Sequence, residues 1–435
     1  MNSFIIRGDI CFSTDKNTLI TRQDSYLVCE NGLCAGVFDE IPERFRRLPL
    51  YDHSGMLVMP GMVDLHIHAP QYAYRGLGMD RELLDWLNTY AFPEESKYAG
   101  LAYAEKAYSV FADAVRNSAD TRLVIFGTLH RKATELLMDK LEDTGVVSYV
   151  GKVNMDRNAP DDLREASAEA SLADTVRFIC ESRHKYRNTA PIITPRFIPS
   201  CTDTLMQGLG ELSRKYDLPI QSHLSENPSE CEWVKELCPW AENYGAAYDR
   251  FGLFGSPQKT VMAHCVWSDD REIGRMKQNG VFIAHCPASN MNVASGIAPI
   301  RKYLDRDMHV GLGSDIAGGH TESLFTAMVE ALQVSRLYWR HVDKSLKPLS
   351  VPEVFYMATK GGGGFFGKVG SFEKDYEFDA IVIDDSLLPT PRPLSLRERL
   401  ERAIYLGGDV KALKAKYCRG AEILGNHESG MRDQE

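Results

Sequence analysis

Short apolar runs and segments of helical spacing take turns along most of this chain. Leu57–His68, Leu123–Leu129, Val146–Met155, Ile192–Phe197, Leu218–Leu224, Thr260–His264, Val281–His285 and Val310–Asp315 read as strands. Between them, Tyr98–Arg116, Ala133–Leu141, Leu172–Tyr186, Thr204–Tyr216, Asp270–Gln278 and Ser323–Arg340 carry apolar residues at helical spacing. Continuous apolar stretches such as Val281-Phe282-Ile283 suit parallel strands covered on both faces. Eight runs alternating with helices predict an α/β fold, a (β/α)8 TIM-type barrel over residues 59–365.

Both ends depart from this rhythm. Phe4–Ile10, Ser25–Glu30 and Gly36–Phe38 are short strands divided by turn residues such as Glu30-Asn31-Gly32. After Gly361–Gly364 a strand recurs at Asp379–Ile383. Residues 1–58 and 366–435 are therefore expected to build one small β domain together. The tail Leu396–Arg419 reads as helical, and the polar last ten residues as loose.

Composition narrows the function. A chain of 435 residues, 44% hydrophobic and 25% charged, is neither disordered nor fibrous. With 50 Lys plus Arg against 60 Asp plus Glu, the net charge of −10 lacks the basic footprint of a nucleic-acid or anionic-membrane binder. The start MNSFIIRGDI shows no signal peptide, and no apolar run is long enough to span a membrane. Ten Cys without a C-x-x-C pair read as reduced thiols, so the expected location is the cytoplasm.

The candidate chemistry lies where the strand-like runs end. One ends Asp64-Leu65-His66-Ile67-His68, and residues two apart on a strand point to the same face. Others end at His223, His264 and Asp315. With 12 His in 435 residues, chance gives about 0.3 H-x-H pairs, so that motif alone is weak. Its combination with two further strand-end His and a strand-end Asp is not. Neutral imidazoles with a carboxylate suit Zn²⁺ or Fe²⁺ at an open catalytic site. The fourth run, Ile192–Phe197, has no Lys that could bridge two metals, and Lys152 on the third reads as structural. One metal per chain is expected.

The run Pro60–His68 with the later His and Asp resembles the metal-dependent amidohydrolase superfamily. The segments His66–Tyr72, Leu84–Leu87 with Phe92-Pro93, Gly151–Asp156, Thr194–Phe197, Gln221–Asn227, Ala284–Asn290 and Gly313–Gly319 resemble its guanine deaminases more closely. That resemblance implies Zn²⁺ on His66, His68, His223 and Asp315. It implies His264 as a fifth member of the metal set or, as we favour, a contact to water or substrate. Its substrates would be free guanine and water, and its state a homodimer. Hydrolytic deamination to xanthine and ammonia would use a zinc-activated water, with Asp315 and Glu226 shuttling protons. By composition alone Glu226 would be the carboxylate of a helix N-terminus, but its place three residues beyond His223 makes proton transfer the better reading. Gln71 and Arg196 would recognise the base, Phe197 would stack on it or serve as a strand-end core residue, and His68, His223, Glu226 and Asp315 would also touch it. Trp86 and Phe92 suit the pocket wall or the core. His285, Ser289 and Asn290 read as structural, and His130, His309, His320, His341 and His427 belong to no constellation. The alternatives are a deaminase of a related heterocycle (8-oxoguanine, a pterin or a triazine) and, remotely, a non-catalytic scaffold barrel.

Overall fold

Eight parallel strands form one sheet in this computed structural model, which describes residues 3–425. Their order is Ile220–Leu224, Thr260–His264, Phe282–His285, His309–Leu312, Met62–His68, Asp120–Phe126, Val147–Gly151 and Thr189–Pro191. An isolated parallel bridge pairs Ile193, just beyond the last of these, with Ile220 in the first. Met62–His68 and Asp120–Phe126 are buried at every position, which explains why their sequences do not alternate. A helix follows each strand and turns one apolar stripe inward, as Leu205, Leu209 and Leu212 do on Asp203–Tyr216. Among the described residues no helix is long and apolar enough to cross a membrane.

The two ends of the chain meet in a second sheet of seven strands. Its order is Ala421–Leu424, Leu413–Cys418, Ala380–Ile383, Leu50–Pro60, Phe4–Asp15, Thr18–Glu30 and Leu33–Phe38. Val382 pairs antiparallel with Val58, and Phe4, Phe378 and Tyr417 pack together on one face.

Three sequence expectations need correction. Leu57–His68 is not one strand, because the chain changes sheets at Gly61. A Cβ there would lie 2.3 Å from the Thr121 side chain, so only glycine permits the crossing. In the fourth run the sheet pairing falls at Thr189–Pro191, while Thr194-Pro195 pairs separately with Val153-Asn154. Pro191 and Pro195 each lack the N–H that a continuous ladder needs. The tail is helical only at Leu396–Tyr405 and Gly408–Lys411, and Leu413–Cys418 is a strand paired with Ala380–Ile383. Local propensity in Lys414-Ala415-Lys416 favours helix, but Ala415 and Tyr417 bury in the sheet core. The buried Lys416 ammonium then donates to the carbonyls of Val115, Ser118 and Asp120 at 2.9, 2.9 and 3.1 Å. His427 and the last ten residues lie outside the described residues.

Arg122, on Asp120–Phe126, ties the two sheets. It donates to both Asp379 oxygens at 2.5 and 3.0 Å and to Glu377 at 3.0 Å. The Arg122 and Asp379 side chains are 1% and 0% exposed, so removing one leaves the other charge without its counterion in the interior. Arg122→Met is expected to lower unfolding stability by about 3–5 kcal/mol in denaturant titration. A loss below about 1 kcal/mol would show that the pair does not tie the sheets.

Candidate active site

The strands Met62–His68, Ile220–Leu224 and Thr260–His264 deliver four imidazoles to one end of the parallel sheet, and the loop after His309–Leu312 delivers Asp315. Phe126 forms an aromatic floor, its ring centroid 5.0, 4.6 and 4.8 Å from those of His66, His68 and His223. Asp64 anchors the Asp315 loop. Its carboxylate accepts Ser314 Oγ at 2.5 Å, Ser314 N at 3.2 Å and His66 N at 3.0 Å. Burial pushes the Asp64 carboxyl up to about 6, against the pull of those donors. Gly313 allows the close approach, since a Cβ there would lie 2.8 Å from Cys286 Sγ and 2.9 Å from His66 Cβ. His264 and Asp315 hold left-handed backbone, φ 74° and 49°, a strain that such sites store.

The side chains converge. His66 Nε2 lies 3.1 Å and His68 Nε2 3.5 Å from Asp315 Oδ1, and His264 Nε2 lies 3.7 Å from Oδ2. His68 Nε2 and His223 Nε2 are 3.1 Å apart. Two of the rings are oriented from behind: His223 Nδ1 donates to the Arg196 carbonyl at 2.6 Å and His264 Nδ1 to Asn290 Oδ1 at 2.9 Å. Each of those acceptors takes a proton only, so the Nε2 lone pairs face inward. His66 Nε2 is buried without a hydrogen bond. A divalent cation fits this donor set, because His66, His68 and Asp315 offer ligand atoms within 4.8 Å of one another, as do His66, His223 and His264. Cys286 lies in reach of His264 and Asp315, but burial holds its thiol well above the ordinary range and therefore protonated.

Electrostatics agree with that fit. Burial, with the neighbouring His66, holds His68 and His223 well below the usual imidazole range and so neutral, the form that binds metal. Burial alone would raise the Asp315 carboxyl, yet His66, His264 and His68 keep it well below the usual carboxylate range. Glu226 shows the reverse. Burial, then the Asp315 charge, pushes it up to about 8, although Ser295 Oγ donates to its Oε1 at 3.0 Å. Its Oε2 is 3.4 Å from His264 Nε2. Two carboxyls of opposed protonation thus face one cleft, an arrangement able to take a proton at one point and give one at another.

Every site residue named from sequence lies at this place. His68, Gln71, Arg196, Phe197, His223, Glu226, His264 and Asp315 line one cleft, closed on its other side by Leu83, Trp86 and Leu87. The helix Pro228–Leu237 is capped by Asn227 and Glu230, so Glu226 stands outside it and turns to the cleft. Phe92 lies beneath the Arg196 guanidinium, 5.0 Å from ring centroid to Cζ. Lys152 pairs with Glu165 at 2.5 Å, in keeping with a structural role. Sequence reading missed three contributors. Asn290 orients His264, Ser295 holds Glu226, and Glu95 grips both Gln71 and Arg196. Asn290 belongs to a segment, Ala284–Asn290, that carries the family resemblance, but Ser295 and Glu95 have no local signal.

Comparison with known proteins agrees with this geometry. Residues 57–411 match the amidohydrolase family. The guanine deaminase of Dictyostelium discoideum is 38% identical over 380 residues, covering 86% of this chain and 83% of its own. The crystal structure of guanine deaminase from C. acetobutylicum with bound guanine in the active site superposes with a TM-score of 0.94 at 48% identity, covering 97% of this chain and all of that one. E. coli guanine deaminase superposes with a TM-score of 0.87 at 30% identity, covering 98% of this chain and 100% of its own. With its strand-end His and Asp residues gathered at one cleft and the match spanning nearly the whole parallel sheet, the chain belongs to the amidohydrolase family.

Proposed function

We propose that this chain hydrolyses guanine to xanthine and ammonia, with Glu226 and Asp315 moving the protons. One observation carries the reading: Glu226 and Asp315 face the same cleft as Arg196 and Gln71, so acid–base and base-recognition groups can act on one bound ring. The relative 48% identical, crystallised with guanine in its active site, supports the same base here. We assign His66, His68, His223 and Asp315 to one zinc ion, with His264 beside it. When bound, zinc supplies Lewis-acid polarisation and lowers the pKa of water.

The chain's own residues supply the rest. Arg196 donates to the C6 carbonyl of guanine, and Gln71 donates and accepts at the base edge. Phe197 covers the ring face. The attacking water adds to C2 and gives its proton to the Asp315 carboxylate. Glu226, protonated at neutral pH, delivers a proton to N3 and so offsets the charge gathering on the ring. The proton taken by Asp315 passes to the exocyclic amine, which leaves as ammonia while the C2 hydroxyl becomes a carbonyl and returns its proton to Glu226. His264, 3.4 Å from Glu226 and 3.7 Å from Asp315, stands between the two carboxyls and holds the water's path.

The same reading gives the chain its larger plan. Residues 61–365 form a closed (β/α)8 barrel, its start moved from 59 because Met59 and Pro60 pair in the other sheet, and its closure supported by the Ile193–Ile220 bridge. Among the described residues, 3–60 and 366–425 share the small β domain, supported by the common seven-stranded sheet. We also propose a cytoplasmic homodimer. All ten cysteines are free thiols, which suits a reducing compartment.

Elemental analysis is expected to find about one zinc per chain, and two tightly held metals would overturn the mononuclear assignment. Glu226→Gln is expected to retain zinc and guanine binding but to lose about 10²–10⁴-fold in kcat. In the wild type, kcat/KM should fall as pH rises through a value at or below about 8, as Glu226 loses its proton and a bound cation draws its pKa down. Normal turnover in Glu226→Gln would move the proton shuttle elsewhere. The substrate is tested by ultraviolet assay of guanine against adenine, whose C6 amine would set donors against Arg196. Rejection of adenine by about 10⁴-fold or more is expected. Faster turnover of a pterin or of 8-oxoguanine than of guanine would reassign the substrate.

A further inference from the structure

Glu95 ends a helical segment, Leu83–Glu95, that contains a π turn at Leu87–Ala91 just before Pro93. A π turn is a common way for a helix to accommodate a proline and re-aim the residues beyond it. Here it aims the Glu95 carboxylate, 3% exposed, at the back of the cleft wall. Arg196 Nη1 donates to Glu95 Oε2 at 2.5 Å and Nη2 to Oε1 at 3.1 Å. Gln71 Nε2 donates to the same Oε1 at 2.8 Å. Gln71 Oε1 in turn accepts Ala317 N at 2.9 Å.

From this geometry we infer that Glu95 is a positioning and specificity residue, which sets both the hydrogen-bond pattern and the net charge that the cleft offers a base. The inference rests on reading the cleft as a guanine site. A carboxylate only accepts and a backbone N–H only donates, so the Gln71 amide has one orientation in which both neighbours are satisfied. One amide N–H and one carbonyl lone pair remain for a ligand. Arg196 gives one N–H from each terminal nitrogen to Glu95. The Nε–H and one hydrogen on each terminal nitrogen remain, a fork suited to a carbonyl oxygen and an adjacent ring nitrogen. A purine with a C6 carbonyl beside N7 presents those two acceptors on one edge.

Charge selects as well as shape. A lone guanidinium buried beside a metal site would favour anions. Paired with Glu95 it presents a fork of donors with no net charge, which suits a neutral base. The substrate guanine is neutral near pH 7, whereas the product xanthine ionises readily. Glu95 therefore favours entry of the substrate and departure of the product. Because it lies behind Gln71 and Arg196, it acts through them and not on the reacting atoms.

The test compares zinc-loaded wild type with Glu95→Gln, measuring KM and kcat for guanine and inhibition by xanthine from neutral to alkaline pH. Glu95→Gln should keep its zinc, keep kcat within a few-fold, and raise KM by about 10- to 100-fold, the usual effect of removing a charge-assisted hydrogen bond. Xanthine should inhibit the variant more strongly than the wild type, and increasingly so as it ionises. A purely structural role would not produce that pH-dependent change in inhibition. Wild-type KM and wild-type xanthine inhibition in Glu95→Gln would overturn the inference. Should that variant fail to fold, Glu95→Asp keeps the charge but withdraws it from the fork. A raised KM there supports the inference and an unchanged KM overturns it. A wild type that does not deaminate guanine overturns the guanine reading, and this inference with it. Active wild type with an indifferent variant overturns this inference alone.

Discussion

Four imidazoles and one carboxylate share one buried space, and much of the molecule is arranged around that crowding. Imidazolium ions at these separations would repel one another in a medium that also penalises charge, so His68 and His223 stay neutral. With the Nε2 lone pairs of His223 and His264 turned inward beside the Asp315 charge, the cluster could hold a cation. The surrounding contacts serve that geometry. The Arg196 carbonyl and Asn290 fix two of the rings, and Asp64 holds the loop that brings Asp315 across from the neighbouring strand.

A second consequence is the unlike state of two nearby carboxyls. Asp315 sits among the histidines and stays ionised, whereas Glu226, buried and facing the Asp315 charge, keeps its proton to about 8. Asn227 and Glu230 complete the cap of the next helix, so Glu226 is released from any duty at that helix terminus. Glu230, pushed up to about 7 by burial and by Glu226, is bound to Tyr244 and to the Glu226 backbone N–H and so stiffens that turn. The opposite wall carries Arg196 over Phe92, with Gln71 beside it. A ligand between these walls meets an acid on one side and a donor fork on the other.

The seven-stranded sheet also bears on the site. Its strand Leu50–Pro60 runs through Gly61 directly into Met62–His68, the strand that carries two of the four imidazoles. Its partner Ala380–Ile383 is reached through Asp379, which Arg122 holds from the strand beside Met62–His68. The clasp between the sheets therefore lies on the two strands that bear His66, His68 and the Phe126 floor. This part of the site is thus tied to the second sheet by one covalent link, at Gly61, and by one ion pair, Arg122–Asp379.

The sequence by itself determined the parallel α/β core and most of the polar residues that face the cleft, though not Glu230 or Ser289. Both depend on local signals: apolar runs long enough for buried strands, a period of two that sets His66 and His68 on one face, and strand ends that carry His223, His264 and Asp315. It misjudged Leu413–Cys418, where helix propensity is local and the burial of Ala415, Lys416 and Tyr417 in a distant sheet is not. It put Glu226 at the chemistry because that residue follows a strand-end His by three positions, although which of three neighbouring polar residues caps the helix is decided only by where the backbone turns. It missed Glu95, 101 positions from Arg196, since no pattern along the chain marks a carboxylate whose partner arrives from another strand. Tertiary structure alone decides such pairings, because the free energy of a buried ion pair depends on two groups meeting in a dry place and neither group's neighbours in sequence record that meeting.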